Sequence, residues 1–257
     1  MPKQKPEAPE IPSSPTQWLR ASYLPVSLFS LRMTHATNKG GKTLVLPTPY
    51  AVKMALLDAS FRHWDGAEAE INARHLFDWI KSRQVRICPP KECIVQNTFV
   101  KILDYARNPI SGPYRNTIAY REFAYHSGEM EIALEIDDLS GEYTATAQKL
   151  FACVNMFGKR GSFWQFNGAR VFKGQLPGNF TLLRLQVDQS NLALYQMSQA
   201  FDDFGEQLCK AKDGFDRIST YGRGSVILDQ HRILQLTAIP YRRVSASRRF
   251  TWYRRTD

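Results

Sequence analysis

The order strand, helix, hairpin, helix, strand predicts an α+β fold of the ferredoxin-like (RRM-like) kind. Three stretches carry the prediction. An apolar strand opens the ordered region at Trp18, a proline-started helix follows at Tyr50, and a central strand pair leads into a second helix and a further strand. The remaining elements read as an insertion after the first helix and a β-rich C-terminal extension. The division expected is a disordered tail over 1–17, a core with its insertion over 18–190, and a basic extension over 191–257.

The tail, rich in Pro, Lys, Glu and Ser, lacks the apolar centre of a secretory signal. Trp18 to Met33 alternates imperfectly and is broken at Pro25, as a long strand. Thr48-Pro49 supplies an N-cap and a first-turn proline for a helix to about His63, with Val52, Ala55, Leu56 and Ala59 on one stripe. Ala67 to about Lys81 repeats the helical spacing with Ala69, Ala73, Leu76, Phe77 and Ile80.

Val85 to Cys88 and Ile94 to Leu103 read as strands around a Pro-Pro turn, and Asn108 to Asn116 as a loop. Thr117 to Tyr125 and Met130 to Ile136 are expected to form a hairpin about His126-Ser127-Gly128-Glu129. A helix over Tyr143 to Phe157, with Ala147, Leu150, Phe151 and Val154 inward, is expected to end at a Gly158 cap. A strand through Phe163 to Phe166 follows. Further strands are expected at Thr181 to Val187, Ser225 to Asp229, Leu234 to Tyr241 and Arg248 to Arg255, with a helix over Leu192 to about Lys210.

A formal charge of +10, with 12% aromatic residues, favours a polyanionic partner, nucleic acid first and an acidic membrane surface second. No apolar run approaches the roughly 20 residues a spanning helix needs, so no membrane insertion is expected. Cys88 and Cys93 are the one close pair among four cysteines, and no second Cys or His pair stands at zinc spacing. Reduced thiols, a cytoplasmic location, no metal and no cofactor are the expectations.

Three segments could meet an anion. The loop Asn38-Lys39-Gly40-Gly41-Lys42-Thr43, between a strand and a capped helix, offers backbone N–H groups and two lysines, though a solvated turn explains it as well. Ala36 stands where a nucleotide P-loop needs its first glycine, which argues against an NTPase. Gly158-Lys159-Arg160-Gly161-Ser162-Phe163-Trp164 combines two cations with aromatic faces, or is a helix end leading into a core strand. The C-terminus sets Arg242, Arg243, Arg248, Arg249, Arg254 and Arg255 among four aromatics, with no acid before Asp257, and reads as a nucleic-acid or subunit contact. No histidine pair has metal spacing and no serine occupies a nucleophile elbow. His35 could act as an acid or base on RNA, or be a polar surface histidine. Tyr120, Arg121 and Glu122 are a further candidate cluster, or ordinary strand residues.

Together these pieces resemble the repeat-associated (RAMP) superfamily of CRISPR proteins, most nearly the subunit that caps the 5′ handle of the CRISPR RNA (crRNA) in type I Cascade complexes. The carriers are Leu46-Pro47-Thr48-Pro49-Tyr50 entering the first helix, Tyr120-Arg121-Glu122-Phe123 after a thumb-like insertion, and Gly158-Lys159-Arg160-Gly161-Ser162 after the second helix. The likeness covers roughly residues 18–166, and its motifs are short. It implies a ferredoxin-like RAMP core that holds crRNA and contacts the backbone and large subunits, with target DNA a further partner. The RNA contacts it implies are Lys39, Lys42, Lys53, Arg121, Lys159, Arg160 and Ser162, with Arg115 near the base of the thumb. It implies no catalytic residue. The alternatives are the backbone subunit of the same superfamily and a metal-independent endoribonuclease, for which His35, Lys39 and Tyr120 are the available groups.

Overall fold

The computed structural model describes residues 17–34, 41–105, 112–136, 141–219, 222 and 224–257. The expected tail, His35, Lys39 and Gly40 therefore lie outside the described residues, except that Gln17 is included.

The chain begins with β1 (Gln17–Pro25), β2 (Leu31–Arg32) and β3 (Thr43–Leu44), then helices α1 (Pro49–His63) and α2 (Gly66–Ile80). Strands β4 (Val85–Cys88), β5 (Glu92–Tyr105), β6 (Tyr114–Ser127) and β7 (Met130–Ile136) follow, then α3 (Gly141–Cys153) and β8 (Trp164–Lys173). The last third holds β9 (Leu182–Leu183), β10 (Met197–Phe204), short helices α4 (Glu206–Lys210) and α5 (Gly214–Ile218), and strands β11 (Arg232–Ile239), β12 (Tyr241–Ala246) and β13 (Phe250–Arg255). This is a mixed α/β fold with antiparallel sheets.

The first sheet runs β4-β7-β1-β8, every neighbour antiparallel. Leu19, Ala21 and Tyr23 of β1 and Ile132, Leu134 and Ile136 of β7 point one way, into a core completed by α1, α2 and α3. The other face is closed at Trp18, Cys88, Ala133 and Phe180. Thr48 caps α1 as its sequence predicts, Oγ1 accepting from Ala51 N at 3.1 Å, with Pro49 in the first turn.

The second sheet runs β12-β13-β5-β6 and the third β10-β11-β9. Cys93, Ala124 and Tyr241 carry the inner face of the second sheet into the same core. His126 is buried there, its Nε2 2.7 Å from Val45 O. A carbonyl only accepts, so that nitrogen carries the proton.

Several elements differ from the sequence expectation. The expected hairpin of residues 117–136 is not one: β6 and β7 are consecutive but lie in different sheets, and β6 pairs along its whole length with β5. Both are 14-residue alternating strands, so the pairing is decided by a long-range match that periodicity does not reveal. The helix expected over 192–210 is strand β10 followed by the single turn α4, because residues 197–204 pair with all eight residues of β11. Helix α3 stops at Cys153, and Gly158 instead makes a left-handed turn five residues later (φ 74°). The opening strand ends at Pro25, which has no N–H to donate, and resumes as β2. The strand expected at 181–187 shrinks to β9 and a 3-10 turn, 225–229 forms none, and the expected 234–241 strand is β11 over 232–239, with β12 starting after Pro240.

Candidate RNA interface

The segment from Val26 to Met33 is the seam on which the predicted loops meet. Phe29 exchanges both backbone hydrogen bonds with Ala124 of β6, each 2.8 Å. Further along β6, Gly41 N donates to Tyr120 O at 3.0 Å, and Glu122 N donates to Gly41 O at 2.9 Å. A side chain at Gly41 would press on Arg121 Cδ at 3.2 Å, so the missing Cβ permits this approach. Glu122 reinforces the junction: its Oε2 accepts from Thr43 N at 3.0 Å and its Oε1 from the Tyr120 hydroxyl at 3.4 Å.

The 158–162 loop docks on the other side of the same segment. Ser27 Oγ donates to Gly161 O and accepts from Phe163 N, both at 2.7 Å. Ser162 Oγ accepts from Ser30 N at 3.0 Å, while Ser30 Oγ donates to Glu122 O at 3.3 Å. Three segments separated by tens of residues are thus bonded into one surface. Lys42, Lys159 and Arg160 are exposed on it, and Arg121 is half-buried at its centre.

Two expected contacts take other roles. Lys53 is buried in the core, its Nζ 2.8 Å from Asp203 Oδ1 and 3.2 Å from Lys81 O, so it serves packing and cannot reach a ligand at the surface. Ser162 is buried and spends its hydroxyl on Ser30; it positions the loop. Arg115 lies opposite Asp104 near the far end of the β5–β6 hairpin. The distal hairpin exposes Phe99, Leu103, Tyr105 and Ile118, Phe99 to 73%.

Sequence reading missed Ser27 and Ser30, although two serines interrupting an apolar run were a signal of polar docking. It also missed a cavity of about 410 Å³ behind the 158–160 loop, lined by Arg160, Thr34, Tyr50, Asp202 and Arg232. There Arg232 forms an ion pair with Asp202, donates to Thr34 Oγ1 at 3.2 Å and stands over the Tyr50 ring at 4.3 Å. Tyr120, the described member of the catalytic alternative, is raised above the usual tyrosine range, first by burial and then by the Glu122 charge, so it holds its proton. Among the described residues no group of three His, Cys, Asp or Glu side chains could hold a metal ion, and no helix is long and apolar enough to cross a membrane.

A CRISPR-associated protein Cas5 from Archaeoglobus fulgidus is 24% identical to this chain over 124 residues, 48% of the chain and 53% of that protein. The chain thus spans about half the length of the curated relative it matches. No protein-family model matches. Among solved structures, a CRISPR protein from Archaeoglobus fulgidus is 12% identical, with 94% of this chain and 92% of that one covered and a TM-score of 0.46. A chain of the Type III-B Cmr-beta complex bound to cognate target RNA is 10% identical, with 62% and 61% covered and a TM-score of 0.41. A chain of a CRISPR RNA-guided surveillance complex is 10% identical, with 87% and 91% covered and a TM-score of 0.36. At these TM-scores the structural likenesses add nothing to the sequence relationship. That relationship is a likeness to a RAMP-type CRISPR protein over about half of each chain. Its matched relative is a Cas5 protein.

Proposed function

We propose that the chain is a non-catalytic crRNA-binding subunit of a type I Cascade-like effector, holding the 5′ handle of the guide RNA. The observation that carries the proposal is the convergence of 41–43, 120–122 and 158–162 on the Val26–Met33 seam, with Lys42, Lys159 and Arg160 exposed together. Backbone turns flanked by cations suit a kinked RNA backbone, since phosphate contacts fix register. The Cas5 relationship supports the same reading.

The strand order β4-β7-β1-β8, entered in the sequence β1, α1, β4, β7, α3, β8, supports a ferredoxin-like core. The exposed apolar face of the distal β5–β6 hairpin suits a contact with the backbone subunit, and the large subunit is the second protein partner of the reading. The test is incubation of the purified chain with repeat-containing precursor RNA in EDTA. Binding with intact RNA is the expected result. A discrete cut within the repeat, lost in His35→Ala, would replace this reading with the endoribonuclease.

A further inference from the structure

The arginine-rich C-terminus is not part of the loop site. It completes the second sheet, and directly opposed residues in that sheet share a face. Tyr253, Cys93 and His126 stand in one such row, and it turns inward, since Cys93 and His126 are buried. The adjacent rows therefore face outward. One is Ser245, Trp252, Ile94 and Tyr125; the next are Phe250, Gln96 and Phe123 on one side and Arg242, Arg254, Glu92 and Ser127 on the other.

This outer face is aromatic and basic. Tyr125 is 53% exposed and Phe250 37%. The Arg254 guanidinium lies 5.1 Å from the centre of the Trp252 ring. Glu92 is the one acid in these rows, and Arg254 binds it through two hydrogen bonds of 3.0 and 2.9 Å. Arg242, Arg248 and Arg249 are exposed and make no ion pair among the described residues. The turn carrying the last two is fastened to β5, with Asn97 donating to Arg248 O and Arg249 O at 3.1 and 2.8 Å.

We propose that the outer face of the β12-β13-β5-β6 sheet binds a single-stranded stretch of nucleic acid, separate from the loop site. The ligand class rests on the RNA-binding reading above; the residues do not overlap with it. Bases stack on Tyr125, Trp252 and Phe250 irrespective of sequence, and Arg242, Arg248 and Arg249 take the phosphates. An acidic protein would want the same charge, but a face holding the exposed Tyr125 and Phe250 and the half-buried Trp252, bordered by exposed arginines, suits stacked bases better.

The test uses the full chain and a 12-nucleotide oligouridine RNA containing 4-thiouridine, with photocrosslinks mapped by mass spectrometry. Crosslinks in the peptides holding Tyr125 or Trp252 are the expected result. In a Tyr125→Ala, Arg242→Ala, Arg248→Ala, Arg249→Ala chain, affinity should fall about tenfold or more. The slope of log affinity against log salt should flatten by about 2, at roughly 0.7 per lost contact on single strands. Thermal melting establishes that the variant folds; if it does not, the crosslink map of the unsubstituted chain decides. Crosslinks confined to the loop site, unchanged affinity in the folded variant, or crosslinks from this face to an acidic protein partner in the assembled complex would each overturn the proposal. Face crosslinks that persist in a chain without handle preference would sink the handle reading and leave this one standing.

Discussion

Lys53 Nζ stands 2.8 Å from Asp203 Oδ1, and this pair ties α1 to β10 within the core. The ammonium also lies 5.2 Å from the centre of the Phe204 ring. Lys53→Ala should therefore cost stability, about 3 kcal/mol, because it leaves a shielded carboxylate without its partner. A Lys53→Met, Asp203→Leu double variant should recover much of that loss. Denaturant melts measure both. RNA affinity of the folded Lys53→Ala chain should stay unchanged, and a selective loss of affinity would return Lys53 to the binding surface.

His126 gives the fold an acid limit. Burial is the main cause that lowers its pKa to about 4, against the smaller opposing effect of its bond to Val45 O. The unfolded chain, with histidine near 6.5, binds the extra proton between those values, so stability falls as pH drops through 6.5 towards 4 and is flat above. The loss from this group should reach about 2 kcal/mol at pH 5. Melts of the wild type and His126→Gln between pH 5 and 7.5 isolate it: the difference between the two should narrow as pH falls. A constant difference would show that His126 does not titrate in this window.

Gly158 holds the basic loop in place by having no side chain. Its φ is 74°, and a Cβ there would come within 2.6 Å of Leu31 Cδ1. Gly158→Ala should destabilise the chain by about 2 kcal/mol, from the left-handed backbone together with the clash. It should also weaken RNA binding by displacing Lys159 and Arg160. Calorimetry and fluorescence anisotropy test the two effects, and an unaltered melting temperature would contradict the first.

Lys159 and Arg160 are exposed and contribute little to the fold. Lys159→Ala with Arg160→Ala should leave the melting temperature within a degree or two. The same change should flatten the salt dependence of RNA affinity by about 1.4 in log-log slope, two contacts at roughly 0.7 each. Salt titrations of both proteins check this, and equal slopes would remove the loop from the interface.

Local signals survived into the structure where they were local in cause. The Thr48 cap and the α1 and α2 stripes depend on neighbouring residues, and each was readable in the sequence; the left-handed turn at Gly158 was readable too, but not that helix α3 ends five residues before it. Partner choice was not. Nothing in Tyr114–Ser127 says that it pairs with Glu92–Tyr105 and not with Met130–Ile136, since both neighbours alternate equally well. Residues 197–204 read as helix and became strand because β11 lay beside them. The candidate site was legible only as cations in glycine loops, of which Lys42, Lys159 and Arg160 are exposed. Lys53 has the same charge, and its partner Asp203 is 150 residues away, so its burial was invisible.

The most direct test of the central claim is the affinity of the full chain for a 5′-handle RNA against a scrambled RNA of equal length and composition, by anisotropy at fixed salt in EDTA. A preference of about tenfold or more for the handle, abolished by Lys159→Ala with Arg160→Ala, is the predicted result. Equal affinity for the two RNAs, unchanged when the backbone and large subunits are added, would contradict it.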